Sequence, residues 1–384
     1  MKSLLICLIL CATAVTALAQ NRTLEQVRFD TARLLFENPD HRAVRFRYAK
    51  VSYHTGNYRA AKFHLLELMR TSKAADDLAL LKRVHGTVVE TAPLSFGLNL
   101  SILPSTNISR TSSNQIFDTL AGTFRIVGGG QEESGVGLRF GGRMSYETVL
   151  PNDGGTLTYS AALNRNQYPV DRLNSYDGTL SVTWGQHGLR GTTQITPYVF
   201  RNFYDQTGPQ NADSTRIGVK ASYEHYLTDK SSITGTIAVE NRNYDGLDYL
   251  DGPLLSLGAS YTAPVFDQSS LGFGILTTHS KPTRAHLQYT GISLWGEITT
   301  PVFGMGTLGL NASLGGRNYD GIFPALAEAR QDRFASIGIS FSSARIRVWD
   351  TIPKLSCQIE QNRSNVALYE YKSKDCALTF VQNF

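Results

Sequence analysis

From Pro93 to the last residue, Phe384, apolar and polar side chains alternate in run after run. In Leu255-Ser256-Leu257-Gly258-Ala259-Ser260-Tyr261-Thr262 every odd position is apolar and every even one small or polar, and Ile217 through Glu224 repeats the pattern. A period of two belongs to strands with one greasy and one wet face. Leu308 to Leu314 and Ala335 to Phe341 add further runs. Turn residues cut this region into strands near 94–103, 134–149, 155–168, 173–186, 191–204, 213–227, 231–244, 253–266, 270–280, 285–300, 304–318, 330–343, 350–363 and 368–384. Their number is about 14, which is even, and each is long enough to cross an outer membrane. The expected fold class is mainly β, an antiparallel transmembrane β-barrel. A soluble sandwich would show shorter strands with polar outward faces. Mean hydropathy is only −0.19, because a barrel hides its lipid face in alternation. The 18 Tyr, 18 Phe and 34 Gly suit many strands and turns, with aromatics available for two interfacial girdles.

The first residues read as a secretory signal. Lys2 precedes the apolar stretch Leu4 to Leu10, and Ala17-Leu18-Ala19 before Gln20 is an A-x-A cleavage site, so residues 1–19 are expected to be removed. Leu10 before Cys11 and Ile6 before Cys7 do not suit a lipidation site. Beyond Gln20 no apolar run approaches the roughly 18 residues of an inner-membrane span. Residues 20–92 form a small N-terminal α-helical domain ahead of the barrel at 93–384. Its helical spacing shows in Val44, Tyr48 and Val51 and in Phe63, Leu66 and Met69, with flanking helices at Leu24 to Leu35 and Asp77 to Val89. Pro39 and Asp40 mark the stop of one helix and the start of the next. Ala49, Gly56, Tyr58, Ala61 and Leu65 resemble a tetratricopeptide repeat, in which small residues let antiparallel helices approach and glycine turns the chain. Residues 22–91 carry 13 Lys and Arg against 8 Asp and Glu. That surface is either a receptor for an acidic polypeptide or phosphate-bearing lipid, or a solvated helical face.

With both barrel ends on the periplasmic side, odd-numbered strands run outward. Four of them close on a shared motif: Arg165-Asn166-Gln167-Tyr168, Arg201-Asn202-Phe203-Tyr204-Asp205, Arg242-Asn243-Tyr244-Asp245 and Arg317-Asn318-Tyr319-Asp320. An aromatic ring suits the outer interface, and Arg and Asn suit the wet lumen or the rim. The favoured reading is a structural girdle; a ring of arginines guiding a polypeptide or binding lipopolysaccharide phosphate is the alternative. Cys357 and Cys376 are equidistant from a turn between Val366 and Ala367, so a tight hairpin sets them opposite each other on the apolar face. A disulfide and two free thiols both remain open. Pro104 to Glu133 is a long connection carrying Ile116, Phe117, Leu120, Phe124, Ile126 and Gly128-Gly129-Gly130; it is either a plug or an external cap. His187, His225, His279 and His286 are scattered outside any nucleophile motif, so no enzyme, metal or cofactor is expected. Nothing in the chain points to nucleic acid.

Leu378, Phe380 and Phe384 on one face of the last strand resemble the C-terminal signal read by the barrel assembly machinery, with Gln382 as the polar member. Leu98-Asn99-Leu100-Ser101, Pro104 to Ile108, Ser134 to Leu138, and the hairpin from Pro353-Lys354-Leu355 through Asn362 to Tyr369 resemble the surface lipoprotein assembly modifier family, called Slam. The resemblance implies a 14-stranded outer-membrane translocon that helps lipoproteins or related secreted cargo, often haem- or metal-acquisition proteins, reach the surface. Its helical domain would meet cargo in the periplasm. Expected partners are outer-membrane lipid and lipopolysaccharide, the assembly machinery and that cargo. A passive porin for small solutes is the alternative, though a porin needs no helical domain.

Overall fold

The computed structural model describes residues 23–384 apart from 115, 126–131, 152–153, 209–211, 267, 303, 325 and 349–350. The signal-cleavage residues Ala17, Ala19 and Gln20, and Ile126 with the triple glycine, lie outside the described residues. The chain divides into two compact units. One contains residues up to Pro93 with the connections Glu147–Thr156 and Gln186–Leu189, and the other holds the rest.

The first unit has four helices: α1 over 23–37, α2 (Arg42–His54), α3 (Tyr58–Arg70) and α4 (Ala75–Thr91). Asn57 caps α3, its side chain accepting from the Ala60 amide at 3.2 Å, after Gly56 turns the chain at φ 76°. α2 is capped by His41 rather than by Asp40. Ala49 and Ala61 are buried, which brings α2 and α3 close, and Leu65, Leu68, Met69, Leu78, Leu81 and Val88 complete the core. Each fully buried aliphatic there contributes about 1.5–3 kcal/mol. Of Phe63, Leu66 and Met69, Met69 is buried and Leu66 packs against the core as their spacing implies, whereas Phe63 stands 56% exposed. The inward stripe of α3 runs through Ala61, Leu65, Leu68 and Met69. Tyr58 packs edge-on against Tyr53 at the start of α3. Arg42 ties three elements together, donating to the Leu68 carbonyl at 3.0 Å and pairing with Asp77 at 2.5 Å.

The second unit is a closed antiparallel barrel of 14 strands with a separate two-stranded hairpin. The barrel strands are β1 (Leu94–Ser105), β4 (Gly135–Val149), β5 (Thr156–Gln167), β6 (Ser175–His187), β7 (Gly191–Tyr204), β8 (Ser214–Tyr226), β9 (Ser232–Tyr244) and β10 (Gly252–Pro264). They continue as β11 (Ser270–Ser280), β12 (Tyr289–Val302), β13 (Gly306–Ile322), β14 (Ala329–Ser342), β15 (Lys354–Ser364) and β16 (Tyr371–Asn383). The hairpin pairs β2 (Ile116–Thr119) with β3 (Gly122–Arg125). Neighbours in sequence pair as hairpins, and β1 closes the ring against β16, with Leu100 opposite Phe380 and Ile102 opposite Leu378. Leu94 and Phe384 lie at the same end, called the near end below; the opposite one is the far end.

Some residues expected as strand are not. Residues 285–287 and 368–369 fall in single 3-10 turns, Ala285–Leu287 and Ala367–Tyr369, so β12 and β16 begin later, at Tyr289 and Tyr371, and β15 begins at Lys354, leaving 352–353 outside it. The same turn occurs at Asp171–Leu173 and Asp248–Leu250, which gives four far-end connections one shape. Outward positions carry Leu98, Leu163, Ile217, Leu310 and Ile337, the last 63% exposed. So continuous an apolar wall is a lipid face. Tyr146, Tyr159, Tyr223, Tyr261 and Phe273 ring its near end, and Tyr176 and Phe203 flank the far end. No described helix is long and apolar enough to cross a membrane.

Candidate functional site: the barrel interior and its far rim

Alternation sends every second strand residue inward, and the inward set is largely polar and holds several paired charges. Asp177 receives Arg139 at 3.2 Å and Asn164 at 2.7 Å. Glu240 accepts from the Tyr198 hydroxyl at 2.6 Å and from Arg242 Nε at 2.5 Å. Arg330 clasps Asp332 through Nε at 2.9 Å and Nη2 at 2.6 Å, and its guanidinium lies 3.2 Å over the Tyr369 ring. Asp332 is 2% exposed, so the bidentate pairing is what permits the charge there. Large inward rings fit because the neighbouring strand has glycine. A Cβ on Gly137 would come within 2.3 Å of the Tyr168 ring, and one on Gly274 within 2.8 Å of Trp295.

The long connection after β1 turns back along the inner face of β15 and β16. Arg110, at φ 50°, pairs with Glu360 and Asp375, both at 3.3 Å, and the Tyr371 hydroxyl donates to Glu360 at 2.6 Å. Asn107 is fully buried and exchanges two hydrogen bonds with the Thr111 backbone. Ser112 Oγ donates to the Ala367 carbonyl at 2.6 Å, and β2 then places Phe117 edge-on to Phe323 at the far end. The described part of this connection is therefore a strap on the inner wall that leads to a hairpin at the rim. Beside it, Arg110, Arg317, Arg330, Glu360, Tyr369 and Tyr371 line a cavity of about 320 Å³.

The four far-end motifs do not form one ring. Arg165 lies 4.3 Å over the outward ring of Tyr176, and Arg201 lies 4.7 Å over outward Phe203. Arg242 and Arg317 point inward, the first to Glu240 and the second between the rings of Tyr289 and Phe334. The constant member is the tyrosine: Tyr168, Tyr204, Tyr244 and Tyr319 all take inward positions, contrary to the expectation that the aromatic member faces the interface, whereas the arginines, expected at the lumen or the rim, divide between inward Arg242 and Arg317 and outward, rim-placed Arg165 and Arg201. Tyr follows Arg at the third position in the first two motifs and at the second in the last two. One residue of offset flips the face. For the same reason Asn166 and Asn202 point inward, whereas Asn243 and Asn318 point outward.

The outward arginines are neutralised by the motif that follows. Arg165 binds Asp205 bidentately at 2.6 Å, and Arg201 binds Asp245. Asp205 is correspondingly held below the usual carboxylate range by its hydrogen bond from Arg165. A second repeat was not read from the sequence. The amides of Tyr168, Tyr204 and Tyr244 donate to the side-chain oxygens of Asn174, Asp213 and Asp251 at 2.7, 2.8 and 2.7 Å. The carbonyls of Asn174 and Asp213 accept from the amides of Asp205 and Asp245 at 3.0 and 2.9 Å. Each such residue joins three strands, and the signal was an Asn or Asp immediately before Ser175, Ser214 and Gly252.

Cys357 and Cys376 are joined as a disulfide, directly opposite each other on β15 and β16, with Leu355 opposite Leu378. Phe384 exchanges two backbone hydrogen bonds with Phe96, at 2.8 and 3.2 Å. His225 lies outward beside Tyr223, His279 meets the Thr290 hydroxyl at 3.1 Å, and His286 sits in a 3-10 turn near Phe323. Among the described residues no group of three His, Cys, Asp or Glu could hold a metal ion.

A family profile described as surface lipoprotein assembly modifier matches residues 95–384, the entire barrel. The chain belongs to the surface lipoprotein assembly modifier family. It is an outer-membrane barrel of that family, and the helices lie outside the matched segment. No curated protein matches the chain. Solved structures similar to it include the channel DcaP of Acinetobacter baumannii, at 11% identity and TM-score 0.41, over 76% of this chain and 96% of that one. A loop-deletion mutant of OmpT from Vibrio cholerae shares 7% at TM-score 0.39, over 76% and 99%. OprD of Pseudomonas aeruginosa shares 9% at TM-score 0.38, over 76% and 95%. Likenesses this remote say nothing of what passes through the barrel.

Proposed function

We propose that this barrel assists surface display or secretion of lipoproteins or related cargo, haem- and metal-acquisition proteins among them. In this reading the near end and the helical domain face the periplasm, and the far end faces the exterior. The observation that carries it is the family match across all of the barrel, 95–384. The inner wall supports it, because paired charges such as Arg139–Asp177 and Arg330–Asp332 give it a polar surface along which an unfolded polypeptide can slide. The helical unit would receive cargo through its exposed basic residues, Arg47, Lys50, Arg59 and Arg83 among them.

The test is deletion of the gene followed by surface labelling of lipoproteins encoded beside it. Loss of display of at least one, restored by the wild-type gene, is expected. Undiminished display of every neighbouring candidate, together with flux of small solutes through the purified barrel in bilayers, would replace this reading with a passive porin.

A further inference from the structure

The outward face of the barrel carries cations of two kinds. Arg165 and Arg201 each have a carboxylate partner. A second group does not. Arg333 on β14, Arg363 on β15, and Lys372 and Lys374 on β16 are all exposed. They share the outward parity of Ile337 and Ile359, which are 63% and 44% exposed. Arg333 and Arg363 are direct cross-strand partners, while Lys372 stands opposite Gln361 and Lys374 opposite Ile359. The four therefore occupy one patch on three consecutive strands at the far end. Among the described residues, no ion pair or side-chain hydrogen bond engages any of them.

Like charges placed directly opposite each other in a sheet destabilise the pairing. Here two guanidinium groups face each other with two more ammonium groups close by, and the carboxylates nearest in the fold are engaged elsewhere. Asp332 and Glu360 point inward to Arg330 and Arg110, and Glu370 accepts from Asn114 at 3.1 Å. A cluster of this kind is balanced by an anion from outside the chain. Its position restricts the choice. Directly along the same strands toward the near end lie Ile337, Ile339, Leu355 and Ile359, an apolar surface for acyl chains. Long basic side chains reach from such a belt to headgroup level. Guanidinium pairs phosphate bidentately.

We propose that Arg333, Arg363, Lys372 and Lys374 bind the phosphate groups of a lipid, with its acyl chains on the adjacent isoleucines. Under the orientation proposed above, that lipid is the phosphorylated glycolipid of the outer leaflet. The site thus rests on that orientation only for which leaflet supplies the lipid.

The experiment is native mass spectrometry and thermal unfolding of the purified full-length barrel in neutral detergent. Diphosphoryl lipid A, the same lipid dephosphorylated, and inorganic phosphate are added in separate arms. Wild type should retain diphosphoryl lipid A at least ten-fold more strongly than the dephosphorylated form. The variant R333Q/R363Q/K372Q/K374Q should lose that preference. R363Q alone should melt at a higher temperature than wild type without lipid, because one like charge is gone, yet gain less from adding lipid A. R333K/R363K keeps the charge and should keep binding. Equal retention of lipid A by wild type and the quadruple variant would overturn the proposal. So would inorganic phosphate competing at concentrations equal to the lipid, since the site would then be for a free anion. Binding is read on isolated protein, so it stands or falls separately from cargo transport.

Discussion

Asp332 is the most deeply buried acid of the inner wall, and its two oxygens are committed to Arg330. Asp332→Asn would leave a buried guanidinium without its charge partner, a loss of about 3 kcal/mol. Urea unfolding of the barrel in lipid vesicles should report it, and the additional change Arg330→Gln should restore part; an unchanged midpoint in the single variant would remove the pair from the stabilising set. In the helical unit, His64 packs against the rings of Tyr48 and Phe63 with Arg45 at 3.4 Å. Burial first, and then the Arg45 charge, lowers its pKa to about 4. The folded helices thus favour the neutral ring. Their stabilisation is complete above the unfolded value of about 6.5 and is lost as pH falls from there toward 4. Hydrogen exchange of α2 and α3 in the whole protein, corrected for intrinsic rates, should show weaker protection at pH 5 than at pH 7.5. His64→Gln should abolish that difference; if the variant keeps it, another group is responsible.

At the scale of elements, the far rim is a chain of stapled hairpins. Asp213 accepts the Tyr204 amide on its side chain and the Asp245 amide on its carbonyl, and so joins β7, β8 and the exit of β9. Asp213→Ala removes the first of these bonds, worth about 1 kcal/mol. Protection of the Tyr204 amide should drop about five-fold, a factor that follows from that energy, while amides near Tyr223 stay as they were. Equal protection at Tyr204 would mean that the staple is incidental. The strands were legible in the sequence because a half-buried ladder writes its own period, so β7 and β11 could be delimited from Gly191, Tyr204, Ser270 and Ser280 alone. Residues 285–287 and 368–369 read as strand because their apolar members continue the alternation, although they belong to 3-10 turns whose backbone bonds close locally. The motif arginines divide between the two faces for a subtler reason. Their identity repeats, but their distance to the tyrosine does not, and parity follows distance. The partners of the inward ions were not legible, since Arg110 meets Glu360 across 250 residues of chain.

For the whole molecule, closure depends on Phe384 as well as on β16. Deleting Phe384 removes both hydrogen bonds to Phe96 and the ring at the near rim. The seam should weaken by about 1–3 kcal/mol. The fraction of protein reaching a compact, heat-modifiable form in membranes should fall at least several-fold relative to wild type; an equal yield would show that the seam closes without its terminal clasp. The pairing of Gly97 with Asn383 has a kinetic side. The first strand of the barrel to be made waits for the last, so every intermediate has two open edges and no finished interior. Contacts of such sequence separation are slow to form, and open edges invite pairing with foreign strands. The time between export and closure is therefore the chain's most vulnerable interval.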